Sequence, residues 1–283
     1  MLKKISLLAL ATCALTTLQA QTDSSENVPK TGDTMRIGNI IILKNGQGAG
    51  TSKEYNLQIK NRRNDRHRNN SYYWFAFDLG FNNFVDNTNY SSQETIAFAQ
   101  GDETVSSDWF NLRNAKSINV NIWFLQARLN LIQHVVNLRY GAGLEFYNFR
   151  FEEDIRFVKK PRPGVYLDQD IDYDKNKLAM NYITVPVMLN FNFTPNKPLE
   201  RSFGISAGIS GSYMYGSRQK YRSAETGKEK LKGNLGLNDF KLAYIGELHL
   251  GPIQVYGSYA TESMFKKGLD FTPYTVGLRF SSF

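Results

Sequence analysis

From Tyr72 to its end the chain alternates apolar and polar residues in eight separate stretches, the pattern of strands with one apolar and one polar face. The third stretch is the clearest. Val136, Leu138, Tyr140, Ala142, Leu144 and Phe146 share one face against Asn137, Arg139, Gly141, Gly143 and Glu145. The fourth sets Ile183, Val185, Val187, Leu189, Phe191 and Phe193 against Tyr182, Thr184, Met188, Asn190 and Asn192. In the fifth, Phe203, Ile205, Ala207, Ile209 and Tyr213 oppose Gly204, Ser206, Gly208, Ser210 and Ser212. The first puts Tyr73, Phe75, Phe77, Leu79 and Phe81 opposite Asp78, Gly80 and Asn82; the second puts Trp123, Leu125, Ala127, Leu129 and Leu131 opposite Gln126, Arg128 and Asn130. The last three carry Phe240, Leu242, Tyr244 and Leu248 against Lys241, Glu247 and His249; Ile253, Val255 and Tyr259 against Gln254, Tyr256 and Ser258; and Tyr274, Val276, Leu278 and Phe280 against Thr275, Gly277 and Arg279.

The connections have a rhythm of their own. Joins after the second, fourth and sixth stretches are short, near residues 132–134, 194–200 and 251–252. Those after the first, third, fifth and seventh are long or polar, at 86–114, 152–176, 218–238 and 262–272. Tight turns on one side and long loops on the other are the habit of outer-membrane barrels, and an even strand count puts both termini on the periplasmic side. The expected fold is therefore all-β: an eight-stranded antiparallel up-and-down transmembrane β-barrel with a flexible N-terminal periplasmic segment. A soluble lipocalin-like barrel is the rival, with the apolar face inward as its core.

Residue chemistry decides which face is which. The polar face bears Gly, Ser and charged residues, and an eight-stranded barrel has an interior just wide enough for side chains to fill it. Arg128, Arg139 and Arg279 would then face Asp78, Glu145 and Glu247 in the lumen. Buried charges must be paired, so these six predict an internal salt-bridge network. The aliphatic and aromatic face meets lipid.

The N-terminus and the composition point the same way. Lys3 and Lys4 precede a largely apolar run over 5–18, and Gln19 and Ala20 come before Gln21, as at a signal-peptidase site. Residues 1–20 are read as a cleaved signal peptide, 21–70 as a partly disordered periplasmic segment, and 71–283 as the barrel. Within 21–70, residues 35–43 (MRIGNIIIL) read as one short strand, and 45–70, rich in Gly, Asn and basic residues, as a solvated linker. Cys13 is the single cysteine and sits mid-run, so the exported chain has neither a disulfide framework nor a thiolate site. Aromatics make up 13% of the chain, with 16 Tyr and 19 Phe, while mean hydropathy is −0.42. Many rings in a polar chain are ordinary for a membrane barrel, whose aromatics gather at the interfaces. The net charge of +8 is spread along the chain and implies no nucleic-acid partner.

Residues 181–191 (NYITVPVMLNF) resemble the PorT-like outer-membrane β-barrel family, porin-like proteins of the Bacteroidetes, through Tyr182, Val185 and Pro186. The small residues and closing aromatic-Gly pair of 202–216 (SFGISAGISGSYMYG), together with 257–259, 265–268 and 273–278, are similar to the same family, and 33–38 resembles a leader segment of some members. The resemblance implies an outer-membrane barrel and an accessory role in a secretion or uptake assembly. Barrel-assembly signals of this kind end in an outward aromatic. Phe280 is in that frame and terminal Phe283 lies one position off it.

Candidate chemistry is sparse. Asp168, Asp170, Asp172 and Asp174 alternate in the second long loop and could offer oxygen ligands to Ca²⁺. Tyr173 stands where a calcium loop needs Gly, however, and Ala179 where it needs a bidentate Glu, so the expectation is a solvated acidic loop with no bound metal and no cofactor. Lys220, Arg222, Lys228, Lys230 and Lys232 make the third outer loop basic, a match for lipopolysaccharide phosphates. His67, His134 and His249 are far apart in the pattern, and no GxSxG, HExxH or Walker motif occurs. The expectation is a non-enzymatic outer-membrane protein, structural or accessory. Its partners would be membrane lipid, lipopolysaccharide, the barrel-assembly machinery, and proteins met through the N-terminal segment or outer loops. A narrow channel and a lipid- or peptide-acting membrane enzyme are the alternatives.

Overall fold

The protein is described by a computed structural model, which covers residues 34–37, 40–43, 56–58, 69–197, 201–251 and 253–281. The chain divides into two units, Met1–Arg63 and Asn64–Phe283. The signal peptide expected over 1–20, and most of the linker expected over 45–70, lie outside the described residues. In the first unit β1 (Thr34–Ile37), β2 (Ile40–Leu43) and β3 (Asn56–Gln58) form a three-stranded antiparallel sheet. The single strand expected over 35–43 is thus two, paired with Ile37 opposite Ile40.

In the second unit the eight expected strands are β4 (Asn70–Asp86), β5 (Ile118–Ile132), β6 (Val136–Phe151), β9 (Lys175–Asn192), β10 (Phe203–Ser223), β12 (Phe240–Leu250), β13 (Ile253–Ala260) and β14 (Phe271–Ser281). The intervening numbers belong to short strands of the outer loops: β7 (Ile155–Val158), β8 (Gly164–Leu167) and β11 (Gly227–Lys232). Each long strand pairs antiparallel with the next, and β14 returns to β4. The result is a closed eight-stranded ring with no open edge. Its outer surface is a belt of exposed Ile, Val, Leu, Phe and Tyr, from Phe203 up to Tyr213 on β10 and from Phe193 up to Ile183 along β9. At ~3.4 Å per residue and a tilt of ~40°, Phe203 to Tyr213 spans about 25 Å along the axis, the height of a lipid-facing band. Ring pairs mark both borders: Phe193 with Phe203 at 5.3 Å, and Tyr213 with Phe240 at 5.2 Å.

Two expected orientations are corrected by a paired bulge. Trp74 lies opposite Leu125 and Ala76 opposite Trp123, which leaves Phe75 and Phe124 as extra residues on facing strands. Phe75 takes a left-handed backbone, φ 59°. One extra residue inverts every side chain beyond it. Tyr72 and Trp74 (64% exposed) therefore face outward in place of Tyr73, and Trp123, expected on the lipid face, turns into the lumen at 4% exposure.

The outer loop expected over 218–238 begins later, because β10 runs on to Ser223, and β6, β9 and β10 all continue well past the apolar belt. There they change polarity. On β6 the inward residues pass from Asn137, Arg139 and Glu145 to Tyr147, Phe149 and Phe151, while the outward ones pass from Phe146 to Asn148 and Arg150. On β9, Leu178, Met180 and Tyr182 face inward while Asn181, Lys177 and Lys175 face out. Beyond the membrane these strands follow the rule of a soluble protein, apolar inside and charged outside. Loop residues complete this second core. The helix α1 (Gln93–Phe98) is capped by Ser92, whose hydroxyl accepts from Thr95 N at 3.1 Å, and delivers Phe98 to Phe265. Trp109, Phe110, Ile155, Phe157, Val165, Leu235, Leu237, Met264, Leu269 and Phe271 fill the rest. Much of the outer loops, expected to be long or polar, folds into an apolar cap over the barrel mouth.

Candidate functional site: lumen, cap and outer rim

The lumen is crossed by ion pairs. Asp78, fully buried on β4, accepts two hydrogen bonds from Arg279 on β14, Nε to Oδ1 at 2.7 Å and Nη2 to Oδ2 at 2.8 Å. It also accepts from Trp123 Nε1 at 2.7 Å and Asn121 Nδ2 at 3.1 Å. Arg279 reaches on to Glu247, which also binds Arg139, and His249 Nε2 sits 3.3 Å from the same Glu247 carboxylate. A second pair lies higher: Lys241 Nζ donates to Glu145 Oε2 at 2.5 Å and to Tyr147 Oη at 2.8 Å, under the rings of Tyr147 and Tyr182. Of the six lumen charges read from the sequence, Asp78, Arg139, Glu247 and Arg279 form one chain of contacts. Glu145 joins Lys241 instead, a partner the sequence reading did not assign. Arg128 has no ion-pair partner among the described residues.

Small residues make this filling possible. Gly80 and Gly277 face each other across β4 and β14, and the Tyr256 ring lies over them, its hydroxyl donating to Asn119 Oδ1 at 2.7 Å. A Cβ on Gly80 would lie 2.6 Å from Tyr256 Oη and 2.5 Å from Val276 O. Among these side chains lies a cavity of about 20 Å³, lined by Asn121, Trp123, Glu145, Ser210 and Glu247 among others. That is room for a single water.

Above this polar zone the cap is locked to the barrel wall. Gln219 accepts from Phe157 N at 2.9 Å and donates to Ile155 O and Asn176 Oδ1, both at 2.8 Å, pinning the β7–β8 hairpin to β9 and β10. Thr95 Oγ1 donates to Gly268 O at 2.6 Å and ties the first outer loop to the last.

The four aspartates of the second loop do not converge. Asp168 accepts from Tyr173 Oη at 2.7 Å and lies 3.5 Å from Arg156, Asp174 pairs with Arg222 at 3.3 Å, and Asp170 and Asp172 are exposed. Among the described residues no group of three or more His, Cys, Asp or Glu could hold a metal ion. The hydrogen bond from Tyr173, the contact with Arg156 and the backbone N–H of Asp170 hold the Asp168 carboxyl below its usual range, against the opposing effect of burial.

The basic residues of the third loop lie on regular strands rather than in an irregular loop. Lys220 and Arg222 continue β10, and Lys228, Lys230 and Lys232 lie on β11, in register opposite Arg222, Lys220 and Arg218. A register shift between Met214 and Gly216 exposes both Tyr213 and Tyr215 and keeps Arg218, Lys220 and Arg222 on the outer face. Lys177 of β9 stands beside them. Partial burial, and then the neighbouring Lys175, Lys220, Arg218 and Arg150, push its amine down to about 8. At the other end of the barrel Phe280 is 55% exposed on the lipid face, whereas Phe283 lies outside the described residues.

A closed antiparallel ring with an apolar belt outside and paired charges inside defines an integral β-barrel of the outer membrane. The family comparison agrees with that class. A family model described as "Outer membrane protein beta-barrel domain" matches residues 58–261, and the chain belongs to this family. No curated protein matches the chain. Among solved structures it is similar to Ail, the attachment invasion locus protein of Yersinia pestis, determined in complex with the heparin analogue sucrose octasulfate. That match has 12% identity and a TM-score of 0.29, and covers 74% of this chain and 98% of Ail.

Proposed function

We propose that the protein is a closed, non-enzymatic barrel that serves the outer membrane as a structural or accessory component and presents a rigid cap at the cell surface. The observation that carries this reading is the double filling of its bore. The membrane-level half is occupied by the Asp78–Arg279–Glu247–Arg139 contacts and the Glu145–Lys241 pair. The outer half is occupied by the apolar cluster around Phe110, Phe151, Phe157, Phe265 and Phe271. Ions would have to break both, which argues against a porin-like channel. The PorT-like motifs over 181–191 and 202–216 support an accessory role in a secretion or uptake assembly, engaged through the cap or the N-terminal segment. Export through a cleaved signal peptide and insertion by the barrel-assembly machinery belong to the same reading.

Planar-bilayer recording tests it. The refolded full-length chain is expected to insert without stable single-channel steps at modest voltage. Reproducible steps would overturn the closed-barrel reading and favour a narrow channel.

A further inference from the structure

The outer faces of β6, β9, β10 and β11 carry nine cations arranged in three cross-strand rows. In the central row Arg150 stands opposite Lys177, Lys177 opposite Lys220, and Lys220 opposite Lys230. Farther from the membrane Lys175 faces Arg222, which faces Lys228; nearer to it Arg218 faces Lys232. With strands ~4.8 Å apart, the central row packs four positive charges into about 15 Å.

Like charges directly opposite one another destabilise a sheet, and a face that is merely solvated has no need of them. Counter-charge within the protein is scarce. Among the described residues Arg222 is the one member of the nine in an ion pair, with Asp174 at 3.3 Å. Glu229, between Lys228 and Lys230 in sequence, points to the opposite face and approaches Arg156 at 3.6 Å. That inner face is apolar, with Phe149, Phe151, Leu178, Met180 and Leu231 against the cap core. The nine cations therefore look sideways, on the same face of the same strands that meets lipid lower down. On β6 the central row lies four residues beyond Phe146, about 10 Å along the barrel axis. Phosphorylated headgroups of the outer leaflet occupy that level.

We infer that this rim binds the phosphorylated saccharide headgroup of an outer-leaflet glycolipid, with Lys177 and Lys220 at the centre of the site and Arg150, Arg218, Lys230 and Lys232 around them. The inference goes beyond the closed-barrel reading and does not depend on it, because a conducting barrel would present the same outer rim. Ammonium and guanidinium donors would bind the phosphate oxygens through charge-assisted hydrogen bonds and relieve the repulsion that the register builds in.

The test uses the full-length folded protein in detergent, titrated with micellar bisphosphorylated lipid A, with the same lipid after dephosphorylation, and with inorganic phosphate. The parent is expected to bind the bisphosphorylated lipid about tenfold or more tighter than the dephosphorylated one, with the preference falling as salt rises. The K177Q/K220Q variant should lose that preference and K177R/K220R should keep it, each verified as folded by its unboiled gel migration. Equal binding of the dephosphorylated lipid, or an undiminished preference in K177Q/K220Q, would overturn the proposal. So would displacement of the lipid by inorganic phosphate, or by a soluble sulfated polysaccharide, at matched charge concentration, which would reassign the rim to a soluble anion.

Discussion

Arg279 of the last strand lies directly opposite Asp78 of the first, and the two are joined by parallel hydrogen bonds of 2.7 and 2.8 Å at the seam where the barrel closes. A bidentate guanidinium–carboxylate pair in a dry interior fixes register as well as energy. Asp78→Ala would leave Arg279 with only Glu247, itself shared with Arg139, and would strip the acceptor from Trp123. We expect a loss of about 3–5 kcal/mol, as for other buried pairs that lose one partner. Urea unfolding of the detergent-folded barrel, followed by gel migration of unboiled samples, measures it. The apolar replacement D78L/R279M should recover most of the loss; no recovery would mean that the pair also specifies the seam.

Tyr256 can lie across the seam only because Gly80 and Gly277 carry no side chain. Gly80→Ala is expected to block folding or force the ring aside, and Tyr256→Phe to cost about 1 kcal/mol through the lost bond to Asn119. Comparing the folded yield of the two variants checks this ordering, and a G80A yield equal to the parent's would contradict it.

The cap should yield independently of the membrane barrel. Phe110 packs edge-on against Phe271 at 5.0 Å and against Phe151 at 6.4 Å, and Phe110→Ala should cost the cap about 3–5 kcal/mol. Limited proteolysis is then expected to cut within residues 86–117 while the unboiled protein still runs as a folded barrel. Loss of the folded band together with the cap would show the two halves to be one cooperative unit.

Lys177 supplies a pH dependence of definite sign. Its amine titrates near 8 in the folded protein against 10.5 when free, so protonation is harder in the fold than in the unfolded chain. The resulting destabilisation is complete below about 8 and disappears above 10.5. Lys177→Gln should therefore raise the urea midpoint at pH 7, and the advantage should shrink as pH approaches 10.5. A residue that weakens the fold while serving a ligand shows this opposition of stability and binding.

The alternation of Val136 to Phe146 and of Ile183 to Phe193, with the long–short rhythm of the connections, made the barrel and its orientation legible in the sequence. A strand has a side-chain period of two, and lipid on one side with a packed polar lumen on the other imposes opposite chemistry on the two phases. Pattern cannot register a bulge, because inserting one residue costs the sequence nothing visible. Trp123 and Tyr73 therefore lie on the faces opposite to those the alternation predicts, and only the skipped pairing at Phe75 and Phe124 turns Trp123 onto Asp78.

Two further matters were left to the tertiary structure. Which lumen charges meet depends on side chains reaching across the ring from non-neighbouring strands, as Lys241 reaches Glu145 and Arg139 reaches Glu247. The switch at Tyr147, where inward residues turn from polar to apolar, looks in one dimension like the end of a strand's pattern. With β9 and β10 making the same switch alongside it, it becomes the base of a folded cap. Lys220, Arg222 and the lysines of β11 were visible from the start as a basic stretch. Their alignment with Arg150 and Lys177 came only from strand register, because Lys177 is 27 positions from Arg150 and 43 from Lys220, and hydrogen-bonded pairing alone brings them together.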